Sequence, residues 1–269
     1  PKYRKELLAN YKQEVNRNNY QNQIFTYSNL VIALMKQDFS RFYTVLDHLN
    51  SINPKLYDDL FCFLNNFDFS QMNEKEKIDL WENVSKLIRK HKKFNKADWS
   101  YSSEVIAKLE YFAKKIEPQE LLTKNKQLFT LYEYDLVDDS CDDVDWDVVR
   151  KEIYEKRRLI LNEILDMYGL EILEKFITNE KMAFNISRIL EEKRDIKIDT
   201  YLIPKFLNSN NENMKTLCSS YIRIASYERE EFWFNHLQIE TFSIEQQVSF
   251  IKNLKFELST WELANETLK

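Results

Sequence analysis

The sequence predicts an all-α fold, and three observations carry the prediction. Only one of 269 residues is glycine, and four are proline. Tight turns between strands lean on glycine, so a sandwich, a barrel or a doubly wound sheet of this length is excluded. Apolar residues recur at spacings of three and four along most of the chain, as the buried stripe of a helix requires. Hydrophobic residues make up 43% and aromatic residues 14%, enough to fill one large core or two ordinary ones.

The elements follow in order. Residues 4–16 place Leu7, Leu8 and Tyr11 on one side of a helix. The run NLVIALMKQ, 29–37, reads as a buried helix. The segment 39–52 carries Phe42, Val45, Leu46 and Leu49 on one stripe. Pro54 then sits where a first helical turn accepts proline, ahead of KLYDDLFCFLNNF. Asn73 with Glu76 forms a capping box for a helix running through Trp81, Val84, Ile88 and His91. Acids gather near its start and Arg89, Lys90, Lys92 and Lys93 near its end, as the helix dipole favours. A second helix over 102–116 buries Val105, Leu109, Phe112 and Ile116, and Pro118 follows.

The longest helix is expected over 147–168, with Val149, Ile153, Ile160, Ile164 and Met167 as its stripe. Its charges allow i,i+4 pairs of Glu152 with Lys156 and of Lys151 with Glu155. Gly169, the one glycine, falls where a helix ends in a left-handed residue. LEILEKFI and EKMAFNISRILEE read as a further helix pair, and Pro204 with NSNNEN, 208–213, as the next turn. The remainder is expected to be helical over 214–228, 229–238, 244–254 and 259–268, with Ser243 and Gln246 as a second capping box.

These elements amount to about a dozen helices of roughly 8–20 residues in sequential pairs, with no strict period and no tetratricopeptide or ankyrin signature. The expected arrangement is an irregular α-solenoid of antiparallel helix pairs, degenerate HEAT-like or tetratricopeptide-like, with two packed helical bundles as the alternative. An N-terminal helical subdomain, 1–135, and a C-terminal one, 136–269, are expected to meet at the acidic loop 136–146. The chain starts PKYRKELL and stops at STWELANETLK within an expected helix, which reads as a segment of a longer protein.

Chemistry is harder to find. The acidic loop holds Asp138, Asp139, Asp142, Asp143, Asp145 and Asp147. An EF-hand loop needs glycine at its sixth position and glutamate at its twelfth. Counting from Asp143 gives Val148 and Tyr154, and counting from Asp139 gives Val144 and Arg150, so neither frame fits. The acids are better read as the start of the long helix, with Asp145 or Asp147 as N-cap. His48, His91 and His236 have no partner in a metal-ligand spacing. Cys62, Cys141 and Cys218 are far apart and odd in number, which fits a reducing compartment better than a disulfide framework. A single glycine rules out P-loop, Rossmann and GxSxG fingerprints within this stretch. No catalytic residue, metal or cofactor is therefore assigned, and no apolar run approaches the roughly 20 residues a membrane span needs.

Two surfaces are candidates for binding. The aromatic clusters FCFLNNFDF and REEFWFNHL offer Phe61, Phe63, Phe67, Phe232, Trp233 and Phe234 as either core or a partner groove. The stretch KLIRKHKKFNK, 86–96, offers Lys86, Arg89, Lys90, Lys92 and Lys93 as a basic patch, with Phe94 and Trp99 able to stack on bases. The net charge of −5 argues against a dedicated nucleic-acid binder.

Several of these residues also form a pattern. Trp81, Leu87, Ile88, His91, Phe94, Asp98 and Trp99, then Leu109, Pro118 and Leu128-Phe129, resemble helical regions of large multidomain bacterial proteins. The resemblance continues through RRLILNEILDMYGLEILEKF, 157–176, and FIKNLKFELSTWELAN, 250–265, and so covers roughly 80–269. It implies a helical-repeat tail attached to an effector or regulatory domain, an architecture common in bacterial defence and signalling proteins, and it carries no catalytic residues. The expectation is a non-enzymatic, cytoplasmic helical segment. It would bind a protein partner, a ligand to be sensed, or other domains of the same polypeptide. A nucleic-acid-binding regulator using 86–96 is the alternative.

Overall fold

The computed structural model describes residues 17, 19, 22–24, 26–36, 41–42, 45, 49, 52, 54–137, 144–230 and 233–267, with Pro54, Gln71 and Thr267 described by backbone alone. Every regular element among them is helical. The expected helix 4–16 lies outside the described residues, as do Leu46, His48, Asp138, Asp139, Cys141, Asp142, Asp143 and Phe232. The chain divides into two compact units, Pro1–Pro118 with Val137–Val144, and Gln119–Leu136 with Asp145–Lys269. The division expected at 136–146 is thus corrected. Residues 119–136 belong to the second unit, because Leu122 and Phe129 are buried in its core.

The first unit contains a helical run over 26–36, then α1 (Tyr57–Asn66), α2 (Glu74–Lys93) and α3 (Ser103–Lys115). The run 26–36 is amphipathic rather than buried all round, with Ile32 and Met35 inside and Leu30 and Leu34 exposed. Phe42, Val45 and Leu49 are buried, as their spacing requires. Pro54 opens a 3-10 turn, Pro54–Leu56, that leads into α1. The α2 capping box is complete, with the Glu76 amide donating to Asn73 Oδ1 and the Asn73 amide to Glu76 Oε2, both at 2.9 Å. Helix α3 packs on both α1 and α2, and Phe112 closes the core against Phe42 at 5.6 Å between ring centroids.

The second unit contains α4 (Leu121–Thr130), α5 (Glu133–Leu136), α6 (Trp146–Tyr168), α7 (Leu173–Phe176), α8 (Glu180–Glu192), α9 (Ile196–Phe206), α10 (Glu212–Glu228), α11 (Ile244–Asn253) and α12 (Leu258–Thr267). Helix α8 is its centre. It packs most extensively on α10, and also on α4 and α6, while α10 carries α9 and α11. The α8 residues Met182, Ala183, Ile186, Ile189 and Leu190 are almost wholly buried.

Several local expectations are corrected. Helices α4 and α9 are not evident in the sequence. The α4 N-terminus has no side-chain cap, and Pro204 mimics a break in α9. Proline in the last turn of α9 disturbs few hydrogen bonds, and its carbonyl accepts one from Gln246 Nε2 at 3.0 Å. Residues 170–177 form a 3-10 turn and the short α7 rather than a full helix. On α6, Met167 is exposed, and Arg157 and Leu161 occupy the stripe instead. The described residues of 229–238 form no α-helix. α10 stops at Glu228, and two 3-10 turns, Asn235–Leu237 and Ile239–Thr241, follow around a left-handed Gln238.

Gly169 ends α6 at φ 74 and ψ −177, a region essentially closed to other residues. A Cβ added there would also stand 2.7 Å from Glu171 Oε2, although that flexible side chain can move. Gly169→Ala is therefore expected to destabilise the second unit by about 1–3 kcal/mol through the backbone. Urea unfolding checks this, and an unchanged midpoint would show that the α6–α7 link relaxes freely.

Candidate functional site

The aromatic cluster of the first unit is mostly core. Phe61 is 3% exposed. Phe63 and Phe67 are half-buried, and the rings run edge-on from Phe63 through Phe67 to Phe69, which meets Phe112 at a tilt. Lys36, Lys108 and Lys115 lie over Phe63, Phe61 and Phe69 at 5.6–5.9 Å. In the second unit Phe234 is 7% exposed, packed on Phe250 at 5.2 Å, and Trp233 is half-buried. Reading Phe61 and Phe234 as exposed groove anchors is corrected, because both are already used inside their cores.

The basic stretch is partly consumed by the fold. Lys93 is buried, and Lys92 Nζ pairs with Glu110 Oε1 at 2.7 Å. Arg89 is half-buried, while Lys86 and Lys90 are exposed, Lys90 lying 5.2 Å above the Trp99 ring. The five cations therefore do not present one continuous face.

His91 organises this end of α2. Its ring stacks on Tyr101 at 3.6 Å, its Nδ1 accepts from the Tyr101 amide at 3.0 Å, and its carbonyl accepts from Ser100 Oγ at 2.7 Å. An Nδ1 that accepts places the neutral ring's proton on Nε2. Burial, helped by the adjacent Lys90 charge, lowers the imidazole pKa from 6.5 to about 4. The unfolded chain therefore binds more protons than the folded one between these values. Stability from this group is complete above about pH 6.5 and is lost as pH falls through about 4. The expected loss is about 1–3 kcal/mol, and His91→Gln should flatten it. Urea midpoints of both proteins between about pH 7.5 and about pH 4 measure the difference; parallel pH profiles would contradict it.

The feature the sequence did not announce is a buried ion cluster in the second unit. α8 supplies Glu191, α9 supplies Asp199, α10 supplies Tyr221, and the residue just past α10 is Arg229. Arg229 Nε donates to Glu191 Oε1 at 3.0 Å. Its Nη1 donates to both Asp199 oxygens at 3.1 and 2.9 Å, and its Nη2 to Tyr221 Oη at 2.7 Å. The Tyr221 hydroxyl in turn donates to Asp199 Oδ1. Burial, reinforced by Asp199, pushes the Tyr221 pKa well above its ordinary value. His236 Nε2 stands 3.1 Å from Asp199 Oδ2, without hydrogen-bond alignment. The Arg229 guanidinium also faces the Trp233 ring at 4.8 Å. One guanidinium thus ties α8, α9 and α10 together and faces Trp233.

Beyond this cluster the surface opens. A cavity of about 410 Å³ is lined by Arg229, Glu230, Trp233, Leu254, Leu258 and Leu263, among others. A neighbouring one of about 420 Å³ shares Phe234 and Leu263, with Glu240 and Glu266 in its lining. Beside them Phe256, Leu258 and Trp261 are 82%, 74% and 54% exposed, and Phe256 meets Trp261 edge-on at 5.5 Å. Tyr227, also exposed, lines the first cavity. Of the predicted groove residues that the structure describes, Trp233 and Phe234 are brought here. Trp261 was visible as a mark of the resemblance but not as a site.

Among the described residues no group of three or more His, Cys, Asp or Glu side chains is placed to hold a metal, and no helix is long and apolar enough to cross a membrane. Cys62 and Cys218 are free thiols. Comparison with family models, curated proteins and solved structures gives no match.

Proposed function

We propose that the protein is a non-catalytic helical binding segment that holds a protein partner through the corner formed by residues 226–263. An irregular solenoid of antiparallel pairs is the frame proposed for it, since such frames work through their surfaces. The observation that carries the reading is the exposed group Phe256, Leu258 and Trp261 beside an open cavity walled by Trp233. Adjoining large apolar side chains left in water mark interaction surfaces, and aromatic anchors dominate such interfaces. The Arg229 cluster supports the reading by fixing the segment that carries Trp233, which lowers the ordering cost of binding. The charged groups of that cluster bond to one another, in keeping with a positioning use. A setting within a larger bacterial cytosolic protein rests on the resemblance of residues 80–269. The nucleic-acid alternative gains nothing from a stretch in which Lys93 is buried and Lys92 is paired.

Peptide-display selection on the full chain tests the proposal. Enriched peptides are expected to bind the wild type and to lose about tenfold or more in affinity on Phe256→Glu with Trp261→Glu. Both side chains are exposed, so the double variant keeps its core. Peptides that bind both proteins equally would move the site elsewhere.

A further inference from the structure

We infer that the partner at this corner is a basic amphipathic helix, with an apolar anchor for the Trp233 cavity and Lys or Arg along its flanks. This deepens the binding reading above and rests on it. The argument is charge complementarity around an apolar floor formed by the exposed side chains of Phe256, Leu258 and Trp261. Residues 226–266 contain eight glutamates against Arg229, Lys252 and Lys255, a net of −5 that equals the formal charge of the whole chain. The cations among them are largely used. Arg229 is held by Glu191 and Asp199, and Lys255 Nζ lies 3.0 Å from Glu257 Oε2. The exposed acids flank the apolar surface on several sides. Glu230 lines the first cavity, Glu240 and Glu266 the second, and Glu262 is exposed next to Trp261 on α12.

An apolar floor with an acidic rim selects a partner of matching pattern. Apolar side chains at i, i+3, i+4 and i+7 of one helix meet the floor, and cations beside that stripe meet the rim. An acidic or neutral helix would gain the same apolar contacts without the electrostatic complement. A second copy of this corner would set glutamates against glutamates, which disfavours a symmetric dimer through it.

Three synthetic helical peptides with one shared Leu/Trp face and a polar face of Lys/Arg, Gln or Glu provide the test, by fluorescence anisotropy with the full chain. The basic peptide is expected to bind about tenfold or more tightly than the acidic one at low salt, with the gap shrinking at ~0.5 M NaCl. Glu230→Gln with Glu262→Gln and Glu266→Gln should reduce the basic peptide's advantage and leave the neutral peptide unchanged. Equal affinities for the three peptides would overturn this inference while the binding reading stands. No binding by any of them would remove both. A concentration-dependent dimer dissolved by Trp261→Glu would assign the face to a second copy and also overturn the inference.

Discussion

Arg229→Met is expected to destabilise the second unit by about 3–5 kcal/mol. The size follows from what the substitution leaves behind. Asp199 is fully buried and Glu191 nearly so, and each takes its charged hydrogen bonds from this one guanidinium. Methionine replaces much of the volume but none of the donors. Two carboxylates then remain in a low-dielectric site without a cation, unless they bind protons or the segment 229–239 opens to water. Far-UV circular dichroism in urea measures the loss, and hydrogen exchange at α8–α10 amides locates it. Adding Glu191→Gln and Asp199→Asn to the Arg229→Met background should recover part of the stability, because the cost lies in unpaired charge. A loss under about 1 kcal/mol, or no recovery, would mean that water already screens the cluster.

Arg157→Met is expected to cost about 2–4 kcal/mol by a different route. This side chain is buried in the middle of α6 and serves the end of α4. Its Nε donates to the Leu128 carbonyl at 2.8 Å and its Nη2 to the Leu131 carbonyl at 3.2 Å, groups that a helix C-terminus leaves without partners. Its Nη1 meets Glu133 Oε1 at 2.7 Å and Asn185 Oδ1 at 3.3 Å. Burial works against the Glu133 carboxylate, yet hydrogen bonds and the Arg157 charge hold its pKa below the usual value. The same urea titration measures this variant, and hydrogen exchange should show α4 fraying first. Protection of α4 equal to wild type would show that Asn185 Nδ2, which donates to the Phe129 carbonyl at 3.0 Å, suffices as its cap.

These two arginines also show where sequence reasoning stopped. Helix class, the two capping boxes, the Asp145 N-cap and the role of Gly169 are local. A few adjacent residues determine each of them, and the structure has them as read except at Gly169, whose φ of 74 is positive as expected but whose ψ of −177 lies outside the left-handed helical region. The binary pattern hides polar residues that occupy stripe positions. Arg157 lies on one line with Ile153, Leu161 and Ile164, and Asp199 with Leu202, Ile203 and Phe206. A charged residue on an apolar stripe signals a buried partner, but that partner is 38 residues from Glu191 and 30 from Asp199. Spacing along one helix does not carry such a pairing. The same long-range cluster goes with the end of α10 at Glu228, since Arg229 leaves the helix in an extended conformation and turns inward to Glu191 and Asp199. The aromatic runs misled for a related reason. Composition identifies Phe61 and Phe234 as large and apolar but does not say which side of a helix or turn they occupy, whereas Phe256 and Trp261 reach the surface from a stretch marked by its resemblance and not as a site.

The most direct test of the central claim is hydrogen exchange of the full chain with and without a display-selected peptide. Binding at the corner predicts new protection confined to residues 226–266, strongest in α12 and in the turns that follow Arg229, and absent from the Arg229→Met variant. Protection centred instead on α1 or on the 86–99 stretch, or none at saturating peptide, would contradict it.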